Sequence, residues 1–245
     1  MEKFSKKRLL QYLQKVNLSG LANKVWIENK SDHTIIDNIL DDSGNLIINS
    51  KVSKNIFEEG INFGIYDMQL FLRYLTLFEA DQIGFKFTQN EDKENNRIMM
   101  SDKNKNITYV LAKKDNIPVK EFNKDPFSNI KISFKLSSSE VADIKKALEV
   151  SGSKFVNFVN KKSSLMLYIG DIDSKEHLIK FKISDYDEQK QLDQDIITFS
   201  SNYFSSILTQ NDKVDIKLTE GLMIYENKDD NIETKYFQRG LISKK

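Results

Sequence analysis

The chain has 245 residues, with 37 lysines and arginines against 36 aspartates and glutamates, a formal net charge of +1. Its 39% of hydrophobic residues can fill one large core or two ordinary ones, and so even a charge balance names no partner, although it can conceal a basic face and an acidic one. The absence of cysteine excludes disulfides and thiolate zinc sites. Neither MEKFSKKRLL nor any apolar run has the make-up of a signal peptide or a membrane span, so the chain reads as a cytoplasmic protein with no membrane partner.

In chain order, Leu9, Leu10, Leu13 and Val16 predict a first helix within FSKKRLLQYLQKV, ending near Gly20. Alternating segments then predict strands in KVWIE, HTIIDNI, NLIIN and IFEEGINFGI, with DDSGN as a turn. GIYDMQLFLRYLTLF predicts a second helix, with Asp67 as its cap and Met68, Phe71, Leu72, Leu75 and Phe78 on one face. Strands QIGFKF, RIMMS and NITYVLA close this half. Both prolines, Pro118 and Pro126, fall in KKDNIPVKEFNKDPFSN near the midpoint, where a fixed φ and a missing amide donor mark an extended connector.

The second half starts with the strand IKISFKL. Ser138 or Ser139 caps a helix in SEVADIKKALEV, with Val141, Ile144 and Leu148 inward. Strands FVNFV, SLMLYIG, HLIKFKI and DIITF follow, then a helix in SSNYFSSILTQ, then strands VDIKL, LMIYE and ETKYFQ. The two halves share one order of elements, which gives an α+β class with a first domain at 1–114, a connector at 115–129 and a second domain at 130–245. The period-two alternation suits antiparallel sheets with one wet face.

Projection at about 100° per residue sets Lys7, Gln11 and Lys15 opposite the leucines of the first helix, with Arg8 beside them. Arg73 points away from the apolar face of the second helix, and Lys145 and Lys146 lie on the polar side of the third. The fourth shows only Asn202, Ser205, Ser206 and Thr209. These are ordinary solvated faces or a shared surface for phosphates, and the lone arginine in so apolar a helix favours the second. Catalytic signals are absent. His33 and His177 lie far apart with no metal-ligand spacing, no nucleotide-binding glycine loop occurs, and GDIDSKE and SDYDE read as solvated acidic turns. The expectation is a protein that is not an enzyme and that uses no metal or cofactor.

Three segments carry a family resemblance. IYDMQLFLRYLTLF resembles the second helix of the sliding clamps encoded by T-even-type bacteriophages, LSSSEVADIKKALEVS resembles the first helix of that clamp's second domain, and KFKISDYDE resembles its strand ending in an Asp-Tyr-Asp loop. The resemblance implies two similar clamp domains per chain and a head-to-tail homotrimer closed around double-stranded DNA without regard to sequence. It also implies as partners the DNA polymerase that the ring tethers and a clamp loader, in an infected bacterial cell. The outward helix residues Lys7, Arg8, Gln11, Lys15, Arg73, Lys145 and Lys146 would then face the duplex. Lys213 would be the nearest cation to stand in for the uncharged fourth helix. Edge strands at 106–112 and 176–184 would close the ring through Ile107, Tyr109, Leu111, Ile179 and Phe181, unless they are plain edges guarded by lysines. Ile117, Pro118, Val119, Phe122 and Phe127 would line a pocket for a partner's hydrophobic peptide or simply pin the connector. FQRGLISKK receives no role from the resemblance. The competing readings are an α+β nucleic-acid or protein-binding module that forms no ring, and a hydrolase built on Asp171 or Asp185, which lacks an orienting histidine.

Overall fold

The computed structural model describes residues 2–161, 164–172, 177–183, 186–188, 195–229 and 231–241. The chain divides into two compact units: Met1–Glu121 with Lys228–Thr234, and Phe122–Asn227 with Lys235–Lys245.

The first unit runs through β1 (Glu2–Ser5), α1 (Lys6–Asn17), β2 (Val25–Asn29), β3 (Thr34–Leu40), β4 (Leu46–Val52), β5 (Phe63–Ile65), α2 (Met68–Thr76), β6 (Gln82–Gln89), β7 (Asn95–Ser101) and β8 (Asn106–Val110). Its strands form two antiparallel sets, β1-β6-β7-β8 and β5-β2-β3-β4, and α1 packs on α2. The second unit runs through β9 (Ile132–Leu136), α3 (Ser138–Ser151), β10 (Phe155–Lys161), β11 (Ser164–Ile169), β12 (Ile179–Ile183), β13 (Tyr186–Glu188), β14 (Ile196–Ser200), α4 (Ser201–Gln210), β15 (Val214–Leu218), β16 (Leu222–Asp229) and β17 (Ile232–Arg239). Here the sets are β9-β15-β16-β17 and β14-β10-β11-β12, with α3 packed on α4 and β13 added to the free side of β9. Apart from β13, the second unit repeats the first strand for strand. Even the closing contact recurs: the amide of Ala112 after β8 donates to Gly64 of β5, and that of Leu241 after β17 donates to Thr198 of β14, both at 2.8 Å. That contact requires glycine at 64, because a Cβ there would lie 2.6 Å from the Ala112 carbonyl oxygen. It also gives the start of FQRGLISKK a structural place.

Three of the four helices, α1, α2 and α3, begin where a side chain accepts one of their unpaired amides, whereas Ser200 before α4 makes no such bond. Ser5 accepts from Arg8 N (3.3 Å), Asp67 accepts from Leu70 N (2.8 Å), and Ser137 forms a reciprocal capping box with Glu140. Ser137, not Ser138 or Ser139, caps α3, because only it has the glutamate three residues on. Gly152, at φ 57°, ends that helix. Leu9, Tyr12, Leu13 and Val16 of α1 and Met68, Phe71 and Leu75 of α2 are buried in the first core, and Val141, Ile144, Phe204, Ile207 and Leu208 in the second.

Three local expectations change. β1 precedes the first helix, with Ser5 ending the strand and capping α1. Within IFEEGINFGI only Phe63–Ile65 is strand: Gly60 at φ 83° and the Ile61 amide on the Glu58 carbonyl make a turn. Phe57 before it is still core, its ring 5.2–5.6 Å from those of Phe63, Phe85 and Phe87. In SDYDE, Tyr186–Glu188 is not a turn but pairs with β9; Asp185 lies outside the described residues.

Candidate nucleic-acid interface and subunit edges

On α1, Lys7, Gln11 and Gln14 form one exposed row at i, i+4 and i+7. Arg8 is half-buried, its guanidinium donates to the Lys54 carbonyl oxygen at 2.7 Å, and partial burial lowers its pKa from the ordinary value. Lys6 donates likewise to the Phe78 carbonyl oxygen at 2.5 Å. Lys15 does not join the exposed row: it is only 6% exposed and pairs with Asp229 at 3.3 Å. Helical geometry accounts for this, since each i to i+4 step turns about 40° and Lys15 therefore stands about 80° round from Lys7, toward buried Tyr12. On α2 the exposed row is Gln69, Arg73 and Thr76, and the Arg73 guanidinium has no ion pair among the described residues. Leu70 is half-buried, whereas Leu77, just past the helix, is exposed.

On α3 the exposed residues are Ser138 and Ser139 at its start, then Ala142, Asp143, Lys146, Glu149 and Val150, with Lys145 half-buried. Glu140 is committed to the cap. On α4, Asn202 and Thr209 are exposed, Ser205 and Ser206 are half-buried, and the helix has no charge at all. Lys213 is exposed in the turn that follows, next to Asp212.

Among the strands that end their sheets in the described residues are β8 and β12, each five residues long and each paired on one side only. The strand that corresponds to β12 in the first unit, β4, is not bare: Ile232–Thr234, which belong to that unit, run beside it, with the Ser50 and Thr234 hydroxyls 2.8 Å apart. On β12, Ile179 and Phe181 are half-buried on the core-facing side while Lys180 and Lys182 are exposed. On β8, Ile107 is half-buried, no residue is charged, and Val110 is 54% exposed. Tyr109 and Leu111 are corrected from contact residues to core. The Tyr109 ring packs edge-on against Phe71 at 5.1 Å, and its hydroxyl accepts from the Asp67 amide and donates to the Asp67 carbonyl oxygen. In a strand with one buried face, alternate side chains fill the unit's own core and only the open end of that face remains.

No protein-family model matches the sequence, and no curated protein matches it. Solved structures do. The proliferating cellular nuclear antigen of Entamoeba histolytica superposes with a TM-score of 0.72 at 14% identity, covering 98% of this chain and 98% of that one. The PCNA2–PCNA3 complex of Sulfolobus tokodaii gives 0.67 at 12% identity, again covering 98% of each chain. The chain has the sliding-clamp fold.

Within this clamp fold the midpoint connector is held to its neighbours. The Leu40 amide donates to the Pro118 carbonyl oxygen and the Lys120 amide to that of Asn38, at 3.0 and 2.9 Å. Asn38 sits at φ 51° in a bulge of β3, which leaves its carbonyl free for this pairing. Ile117 is buried and Pro118 half-buried, whereas Val119 is 55% exposed. Farther on, Phe122 and Phe127 pack on Phe237 at 4.7 and 6.0 Å, and Lys217 and Lys235 lie over the Phe127 ring at 5.0 and 5.2 Å. Of the five expected pocket residues, four are thus partly or wholly packed within their own units. Among the described residues no group of acidic or histidine side chains is placed to hold a metal, and no helix is long and apolar enough to cross a membrane.

Two features of the clamp were missed in the sequence. Gln14 completes the exposed α1 row, and its spacing from Lys7 and Gln11 was a sufficient signal. Val110 faces away from the core on β8, in the opposite phase from Ile107, and the period-two alternation with Tyr109 and Leu111 was the signal for it.

Proposed function

We propose that this protein is a sliding clamp, of the kind encoded by T-even-type bacteriophages. Three copies close head to tail around double-stranded DNA, with the helices toward the duplex, and tether a replicative DNA polymerase after a clamp loader has placed the ring. The observation that carries this reading is the unmatched pair of edges. Inside one chain β17 covers β4; their counterparts β8 and β12 are left bare, equal in length and complementary in position, so one copy can offer β8 to the β12 of the next. An uncharged strand edge such as β8 is a liability unless it is paired, and a head-to-tail contact whose rotation closes makes a ring. Sequence-independent contacts through dispersed cations suit a protein that must move along DNA. In this reading Val119 is the connector residue free to meet a partner peptide, and the ring works by topology without a catalytic group.

Light scattering over a range of concentrations tests the proposal. A native mass near three times 28.5 kDa, together with retention on circular but not linear duplex, is the expected result. A monomer at the highest concentration would overturn the ring and favour a non-ring binding module.

A further inference from the structure

We infer that the two units do not share the duplex equally: phosphate contact is carried by α1 and α2, through Lys7 and Arg73 with Gln11, Gln14 and Gln69 beside them, and the α3–α4 pair contributes none that depends on charge. The inference rests on the clamp reading above. Neither α1 nor α2 contains an acidic residue. The acids nearest them stand at the helix ends: Asp67 and Asp81 accept the Leu70 and Lys7 amides at the two helix N-termini, Glu79 is exposed three residues past α2, and Asp229 is paired with Lys15. Lys7 and Arg73 are therefore exposed on helix rows that contain no acid of their own.

The second pair differs in sign. Lys146 has Asp143 three residues before it and Glu149 three after, and Glu149 is also four residues from Lys145, so both lysines share their surface with acids. The exposed arc of α3, with Asp143, Lys146 and Glu149, is net acidic. α4 offers hydroxyls and amides, which can donate to phosphate but release no counterion. Lys154 and Lys213, exposed in the turns after α3 and α4, each stand near an acid, Asp171 lining the same shallow cleft as Lys154 and Asp212 adjoining Lys213. A closed ring built this way would touch DNA with three basic patches, one per chain, separated by three that are not basic.

The test is the salt dependence of binding to a fluorescein-labelled linear duplex of about 30 base pairs, where each phosphate contact contributes roughly 0.9 to the slope of log K against log salt. The double variant Lys7→Gln/Arg73→Gln is expected to bind about tenfold more weakly at low salt, with a visibly flatter slope. Lys145→Gln/Lys146→Gln is expected to keep the slope within about one unit of the parent. Asp143→Asn/Glu149→Gln, which frees the α3 lysines, is expected to tighten binding and steepen the slope. Equal flattening by the two cation-removing variants would overturn the unequal sharing, as would no gain from removing the acids. In either case an unchanged native mass and retention on circular DNA would leave the clamp reading standing. A parent protein without a ring mass would instead remove that reading.

Discussion

The two units of this chain are built on one plan and finished differently. Each has two helices packed as a pair, two four-stranded sets and the same closing contact at its last strand. In the first unit the exposed rows of the helices carry cations without acids; in the second, Lys146 of α3 stands between two acids and α4 carries no charge. In the first unit β4 is covered by the chain's own last strand, whereas its counterpart β12 is bare. The buried halves of the helices are under the same constraint in both units, which is to fill a core. Their outer halves are not, so the surface can diverge while the skeleton persists. The repeat is therefore a statement about packing, and the differences are where function is to be sought.

The largest effect should come from the bare edge. Ile179→Asp with Phe181→Asp places two unpaired charges where an intermolecular sheet would bury them, and should convert a trimer to a monomer in light scattering; the same mass as the parent would move the interface elsewhere. Next, Phe71→Ala and Phe204→Ala empty matching fully buried positions on α2 and α4. Each should cost about 3–5 kcal/mol in denaturant unfolding, with loss of amide protection confined to its own unit. Protection lost evenly across the chain would show that the units are not separately cooperative.

Cap substitutions should be milder. Asp67→Ala and Ser137→Ala should each cost about 1 kcal/mol, and Ser137→Ala the more of the two, because the Ser137 hydroxyl both accepts from the Glu140 amide and donates to its carboxylate, while the backbone amide of residue 137 keeps its bond to Glu140. The smallest effect concerns carboxylates in lysine clusters. Glu28 is held at about 2 by hydrogen bonding to Lys30, against burial, with further help from Lys114 and Trp26. In the second unit Glu226 is lowered by Lys217 and Lys235 although its own burial opposes them. A carboxylate whose folded pKa is depressed stabilises the protein above its ordinary pKa and loses that contribution as pH falls through the folded value. Glu28→Gln should therefore be slightly less stable than the parent at neutral pH, and the gap should close as pH falls from about 4.5 toward 2. A gap independent of pH would assign the effect to packing. Solvent screening keeps it small.

The four helices and nearly all the strands were legible in the sequence, because hydrophobic spacing records which face of an element is buried. Asp67 at the start of α2 and the glutamate after Ser137 stated where helices begin. β1 and β13 were not legible: three or four residues cannot establish a period, and both exist only because a partner strand offers its backbone. Arg73 was read correctly as an outward cation, since eight residues of apolar pattern surround it. Lys15 was misplaced because one helix turn of drift is enough to carry a charge from solvent to a buried ion pair, and its partner, Asp229, is 214 positions away. Tyr109 and Leu111 were misplaced for another reason: their face of the strand fills the unit's own core. By itself, then, the sequence determined the elements, their order and the polarity of each face, all of which depend on contacts within a few residues. Only the tertiary structure decided which edge strands stay open and which charges stay free, because a backbone edge or a lysine is satisfied by whatever distant segment the fold brings to it.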